Sequence, residues 1–167
     1  AAHFDNTFNS TIAVENIQIV LNKLNIDLYT HVVDNHEFQE VYKSFILSSV
    51  PNIDTPTDLA LAVVHYMAAA KYGVKYIWEG HSFRTEGISP QGWFYMDGKY
   101  IQDIHKKFGN GKIKTLPVLW LGKWLKWMAI DRIKKFRPLY YIEYDKNKTK
   151  EFLAKEYGWQ WYGGHHM

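Results

Sequence analysis

Cysteine is absent from the 167 residues, which excludes disulfides and thiolate metal sites and fits a reducing compartment. Apolar runs are short. None approaches the ~20 residues that a bilayer-crossing helix requires, and no secretory leader is visible, so the expectation is a cytoplasmic protein with no transmembrane segment. Internal repeats and low-complexity tracts are missing too, which leaves one domain of ordinary globular size. What the chain does contain is 47% hydrophobic residues, enough for a core, and 17% aromatics, with seven Trp and twelve Tyr.

The net charge of +3 conceals an asymmetry. Between Lys99 and Arg137 stand eleven Lys or Arg against Asp103 and Asp131, a local charge of +9, whereas the remainder is −6. A concentrated positive field suits an anionic partner such as nucleotide phosphates, nucleic acid or an anionic membrane surface; a solvated basic face is the plainer alternative.

The patterning predicts alternating strands and helices. Ala1–Asn6 reads as the end of a strand entering a turn, and Asn9 or Ser10 caps a helix to about Leu24 with Ile17, Val20, Leu21 and Leu24 on one face. Leu28–Val33 reads as a strand. Asp34, with Glu37 three residues on, opens a helix with Phe38, Val41, Tyr42 and Phe45 inside. Thr55 as cap and Pro56 at the first position start a helix that is apolar nearly all round and therefore buried between layers. Gly73 closes it before a strand Val74–Trp78. This order predicts an α/β fold, a parallel sheet flanked by helices, with an aromatic, basic, helical C-terminal part.

Further on, Asp97-Gly98 suits either a hairpin turn between Trp93–Met96 and Lys99–Ile104 or the start of a helix to Phe108. Pro117 to about Lys135 reads as a helix, Leu139–Tyr144 as a strand, and Asn147–Tyr157 as a helix ended by Gly158. Trp120, Trp124 and Trp127 fall at i, i+4 and i+7 with Leu121, Leu125 and Met128 beside them. Such a stripe serves as core or subunit interface, as a partner contact, or as a membrane-surface helix.

The densest chemistry follows the strand ending at Trp78: Glu79, Gly80, His81, Ser82, Arg84 and Glu86. Loops beyond the carboxyl ends of parallel strands carry ligand sites, and a glycine there admits a ligand close to the backbone. His81 is the candidate acid, base or phosphate contact, set against a structural histidine. Arg84 offers a planar fork for phosphate or carboxylate, or a salt bridge to Glu79 or Glu86. Asp5 and Asn6 are either ligand contacts or turn residues. His165 and His166 are adjacent, which presents no matched ligand pair, and no metal site is expected.

Three of these segments together carry a family resemblance. His3-Phe4-Asp5-Asn6, Trp78-Glu79-Gly80-His81-Ser82 with Arg84 and Glu86, and Tyr157-Gly158-Trp159-Gln160-Trp161-Tyr162-Gly163-Gly164-His165-His166 look like the N-acetyl sugar amidotransferases of lipopolysaccharide and surface-sugar biosynthesis. These belong to the PP-loop ATP pyrophosphatases, with an adenine-nucleotide alpha-hydrolase-like fold. The family's Ser-Gly-Gly-x-Asp-Ser loop, which grips the ATP pyrophosphate, is not in this chain, so the fold is expected to be incomplete and the stretch inactive alone.

The resemblance implies a division into residues 1–90, a truncated nucleotide-binding core, and 91–167, a substrate-binding and oligomerisation extension on the same domain. It implies ATP with Mg2+ as co-substrate, contacted by Phe4, Asp5 and Asn6; a nucleotide-linked N-acetyl sugar, contacted by Glu79, Gly80, Ser82, Arg84, Glu86, Gly163, Gly164 and His165; and His81 in catalysis. A glutaminase or ammonia-channel protein is the implied partner, and self-association through an open sheet edge or the Trp helix is expected. Two rivals stand beside it. A PP-loop enzyme modifying transfer RNA would use the +9 segment, although nucleic acid is not the expected partner; a non-catalytic module would dock through the basic, aromatic helix.

Overall fold

A computed structural model describes residues 1–81 and 96–161. In chain order the elements are β1 (Ala2–Asp5), α1 (Thr11–Leu24), β2 (Tyr29–Val32), α2 (Asn35–Ser48), α3 (Thr55–Tyr72), β3 (Tyr76–Trp78), α4 (Gly98–Phe108), α5 (Leu121–Leu125), a π-helical turn Lys126–Ile130, β4 (Lys134–Phe136), a 3-10 turn Pro138–Tyr140, and α6 (Lys146–Tyr157). The fold is α/β with parallel strands, as the alternation of strand and helix predicts.

Local chemistry accounts for the helix ends. The Ser10 side chain accepts from Ala13 N, Asp34 from Glu37 N and Asp97 from Tyr100 N, each satisfying a backbone donor that the first helical turn leaves open. Gly73 and Gly158 end α3 and α6 in the left-handed region, at φ 68° and 74°, where glycine carries no steric cost. Asp97-Gly98 opens a helix rather than a hairpin. Gly98 N–H donates to the Leu119 carbonyl at 2.7 Å, and a Cβ on Gly98 would sit 2.7 Å from that same oxygen. The glycine is there for close packing.

The central element is α3. One side joins Phe4, Val33, Phe38, Val41, Phe45, Ile101, Ile104 and Leu116 in a core built on Leu59, Ala60 and Val64. The other side, Val63, Tyr66 and Ala69, packs with Ile77, Trp127 and Ile133 in a second core. A helix apolar nearly all round is thus buried between two layers, as its composition requires.

The strands depart from the single sheet expected. β1 pairs in parallel with β2, and β3 in parallel with β4, as two separate pairs among the described residues. Both pairs run opposite to α3. Ala2 lies with Ala68 and Ala69 near the end of α3, whereas Phe4 packs with Leu59, Ala60 and Val64 nearer its start; β3 returns along α3 directly after Gly73. All four strands therefore point the same way.

Three predicted boundaries are corrected. The helix expected over Pro117–Lys135 is only the short α5 and a π turn. Asp131 N donates to Lys126 O, Arg132 takes φ 54°, and Ile133 N returns to Trp127 O at 3.0 Å, a closing bond of the kind that ends helices. The chain then re-extends as β4 because Lys134–Phe136 find a ladder on Tyr76–Trp78. The strand expected at Leu139–Tyr144 is absent, and Pro138 opens a 3-10 turn there instead. Thr55 is the first residue of α3 rather than its cap, and its hydroxyl donates back to Asn52 O at 3.0 Å.

Candidate functional site

Because the strands share one direction, their carboxyl ends share one end of the molecule. β1 delivers Asp5 and Asn6 there; β3 delivers Glu79, Gly80 and His81; β4 delivers Arg137.

Glu79 is the organiser of the β3–β4 end. Its backbone N–H donates to Phe136 O at 2.9 Å, extending the ladder by a residue. Lys135 Nζ lies 2.5 Å from Glu79 Oε1, and Arg137 Nε donates to Oε2 at 3.0 Å. Burial pushes the Glu79 carboxyl up, but the hydrogen bonds and charges of Lys135 and Arg137 outweigh it and hold the group below its usual range. Two cations on one carboxylate leave the cluster with a net positive charge, suited to an anion. Lys135 also stands 5.4 Å from the Tyr66 ring and Arg137 5.7 Å from the Tyr140 ring, so both are held in place by apolar neighbours as well.

At the end of β1, Asp5 Oδ1 accepts from Thr7 N at 2.8 Å and from Asn9 Nδ2 at 3.0 Å, while Asn6 Oδ1 accepts from Phe8 N at 3.0 Å. These are side-chain turns that carry the chain through Thr7 at φ 67°. Phe4 is a core residue, edge-on to Phe38 at 6.1 Å. His81 and Gly80 are exposed, and a Cβ on Gly80 would meet open space. Ser82, Arg84, Glu86, Gly163, Gly164 and His165 lie outside the described residues. Among those described, no cluster of three His, Asp or Glu is placed to hold a metal, and no helix is long and apolar enough to cross a membrane.

The described part of the C-terminal motif comes back to α1. Asn16 Nδ2 donates to Gln160 O and Gln160 N donates to Asn16 Oδ1, both at 2.8 Å. This reciprocal pair seats Trp159 and Trp161 on a cavity of about 700 Å3 that they share with His3, Asn9, Ile17, Val20 and Leu21. The Trp stripe divides. Trp127 is buried and stacks on Tyr66 at 5.2 Å, while Trp120, Leu121, Trp124, Leu125 and Ile130 are exposed.

Sequence reasoning missed Lys135 and Arg137 as individuals, counting them only in the basic segment. No local signal marked them, because Lys134–Phe136 continue the basic run before them and become a strand only by pairing with Tyr76–Trp78. It also read Glu37 only as a capping residue, whereas its carboxylate clamps Thr115 N at 2.9 Å and Leu116 N at 2.8 Å.

No protein-family model, no curated protein sequence and no solved structure matches the chain.

Proposed function

We propose that this chain is the nucleotide-binding part of an ATP-dependent amidotransferase, and that the anion it binds is the phosphate of ATP at the shared carboxyl end of the strands. The observation that supports this reading is the Glu79–Lys135–Arg137 cluster beside His81 and at the same end as Asp5 and Asn6, the position at which parallel α/β sheets bind ligands. In the proposed reaction the acetamido oxygen of a nucleotide-linked N-acetyl sugar attacks the α-phosphorus of ATP, and pyrophosphate leaves with Mg2+. Ammonia from a glutaminase partner then attacks the activated carbon. AMP departs with the oxygen, leaving an acetamidino group. A poor leaving group becomes a good one, and the protein's share is orientation and charge neutralisation.

Within this reading Arg137 and His81 contact phosphate oxygens, and Glu79 positions Arg137. Calorimetric titration of the chain with ATP and Mg2+, and separately with a UDP-N-acetyl sugar, tests it. Binding should weaken at least tenfold in Arg137→Ala and stay unchanged in Lys71→Ala, a basic residue at the opposite end of the strands, over the Tyr29 ring where β2 begins. Absence of any nucleotide binding, or equal weakening by both variants, would reject the reading.

A second reading has its own observation in the exposed Trp120, Leu121, Trp124, Leu125 and Ile130 beside Lys123 and Lys126. This patch fits docking on an anionic membrane surface. Sedimentation with phosphatidylserine vesicles, abolished by Trp124→Asp, would favour it over the enzyme.

A further inference from the structure

Asparagine is a thermolabile residue, because the backbone nitrogen of the next residue can close a five-membered ring on its side-chain carbonyl carbon. Ring closure needs a neighbour without side-chain bulk, an N–H that is not already engaged, and access to water. Asn110 is the one asparagine in the sequence followed by glycine. Both residues lie exposed in the loop after α4. Gly111 takes φ 84°, a Cβ there would meet open space, and among the described residues its N–H has no hydrogen-bond partner. After other asparagines the nitrogen is held. Thr7 N donates to Asp5 Oδ1 at 2.8 Å, Ile26 N to Leu21 O at 3.0 Å and Lys148 N to Asp145 Oδ1 at 3.1 Å, while Ile17 and Lys23 stand inside α1.

One contact restrains the Asn110 amide. Its Nδ2 donates to Glu40 Oε2 of α2 at 3.3 Å, a long bond between exposed groups. The surroundings favour attack. Lys112 and Lys114 line the same cavity of about 410 Å3 as Asn110 and Gly111, along with His36. The carboxylates of that cavity are committed, Asp34 to Glu37 N and Glu37 to Thr115 N and Leu116 N. Cations there stabilise both the deprotonated nitrogen and the oxyanion through which the ring closes.

We propose that Asn110 is a site of spontaneous covalent modification, converted by the Gly111 nitrogen into a mixture of aspartate and isoaspartate, and that the bond to Glu40 sets its pace. The Gly111 nitrogen loses its proton and bonds to Asn110 Cγ. The Cγ–Nδ2 bond breaks, and Nδ2 takes up a proton and leaves as ammonia, which gives a succinimide. Water then opens the ring. Attack at Cγ restores the ordinary backbone as Asp, whereas attack at the backbone carbonyl carbon routes the chain through Cγ as isoaspartate. No electrons are exchanged, and water is the co-reactant. Either product removes the donor to Glu40 and adds a carboxylate beside it. Like charges in contact repel, so the loop loses its tie to α2 while the Glu37 clamp on Thr115 and Leu116 remains.

The proposal is independent of nucleotide binding. The test incubates the full chain in mildly alkaline buffer and maps its peptides by mass, with methyl transfer by an isoaspartate methyltransferase measuring the isoaspartyl product. Asn110 should convert at least tenfold faster than any other asparagine, and isoaspartate should appear together with Asp. Gly111→Ala should slow conversion at least tenfold. Alanine is strained at a positive φ, so Asn110→Gln gives a second control that leaves the glycine in place; ring closure there needs six members, and the side-chain amide should persist. Glu40→Ala should speed conversion severalfold by releasing the Asn110 amide. Amide exchange at Lys112 and Lys114 should rise with the converted fraction while Thr115 stays protected. Another asparagine converting first, an unchanged rate in Gly111→Ala, or Asp formed without isoaspartate overturns the proposal, and an unchanged rate in Glu40→Ala overturns the role given to Glu40. Peptide mapping and nucleotide titration read different residues, so either idea can fail without the other.

Discussion

The two cores on either side of α3 are built differently. The β1–β2 core is assembled from helices with their own capping residues and regular apolar faces: Asp34 starts α2, Asp97 starts α4, and Phe38, Val41, Phe45 and Ile101 are completely buried. The β3–β4 core has three-residue strands, a π turn and a left-handed Arg132, and it is held by contacts far apart in sequence, Tyr66 on Trp127 and Glu79 on Lys135 and Arg137. Local signals suffice for the first. The second exists only once distant segments meet.

That difference predicts how each core fails. Phe45→Ala should cost about 3–5 kcal/mol, the usual range for emptying a buried aromatic site, and should lower the urea midpoint of the whole chain in one transition. Trp127→Ala removes a comparable side chain, but its loss should be regional: amide exchange at Ile77 and Ile133 speeds up while Val41 and Phe45 stay protected. Equal, global acceleration in both variants would show that the two cores form one cooperative unit.

The same contrast explains what could be read from the residues alone. Ser10, Asp34 and Gly73 announce helix boundaries by mechanisms confined to a few neighbours, and all three stand where the pattern puts them. Lys134–Phe136 has no such signal. Two lysines and a phenylalanine continue the basic helical run before them, and only pairing with Tyr76–Trp78 makes them a strand. The strand end carrying Glu79 was visible as a change from apolar to polar residues. Its partners Lys135 and Arg137 were not, because an ion pair spanning 56 or 58 positions leaves no periodicity to detect.

Glu79 offers the next test, of intermediate size. Glu79→Ala strips a partly buried carboxylate from two cations and should cost about 1–2 kcal/mol, discounted because Arg137 is partly solvated. The pH dependence follows from the sign of the shift. A carboxyl held below its ordinary 4.5 contributes stability that is complete above that value and disappears as pH falls through its folded value. His65 acts in the same sense at higher pH. Burial lowers it from 6.5, with Glu79 opposing and Lys135 assisting, so its contribution is complete above 6.5 and is lost on acidification below it. Thermal melts from pH 8 to 3 should therefore fall first below 6.5 and again below 4.5, and Glu79→Gln should flatten the second fall. A second fall unchanged in Glu79→Gln would assign it to other carboxylates.

On the helical side, Asp34→Ala should cost about 1 kcal/mol by leaving the Glu37 N–H without its cap. The measurement is again a urea midpoint, with Asp34→Asn restoring most of the loss because the amide oxygen accepts the same bond. A variant that loses several kcal/mol would mean that the cap also positions Glu37 for its clamp on Thr115 and Leu116, tying the two effects together.

The smallest effect sharpens the comparison most. Lys126 and Asp131 form an ion pair at 2.7 Å in the π turn, in the same core as Glu79, but the lysine side chain is 56% exposed. Solvated pairs of this kind are worth under about 1 kcal/mol. Lys126→Ala should therefore move the urea midpoint by no more than a few tenths of a molar, and 0.5 M salt should reproduce its effect in the parent chain because exposed charges are screened at that ionic strength. The Glu79 cluster, with its carboxylate largely covered, should respond less to salt than to substitution. If Lys126→Ala instead matched Glu79→Ala, charge alone would hold the second core, and burial would not be what separates a positioned cluster from a surface pair.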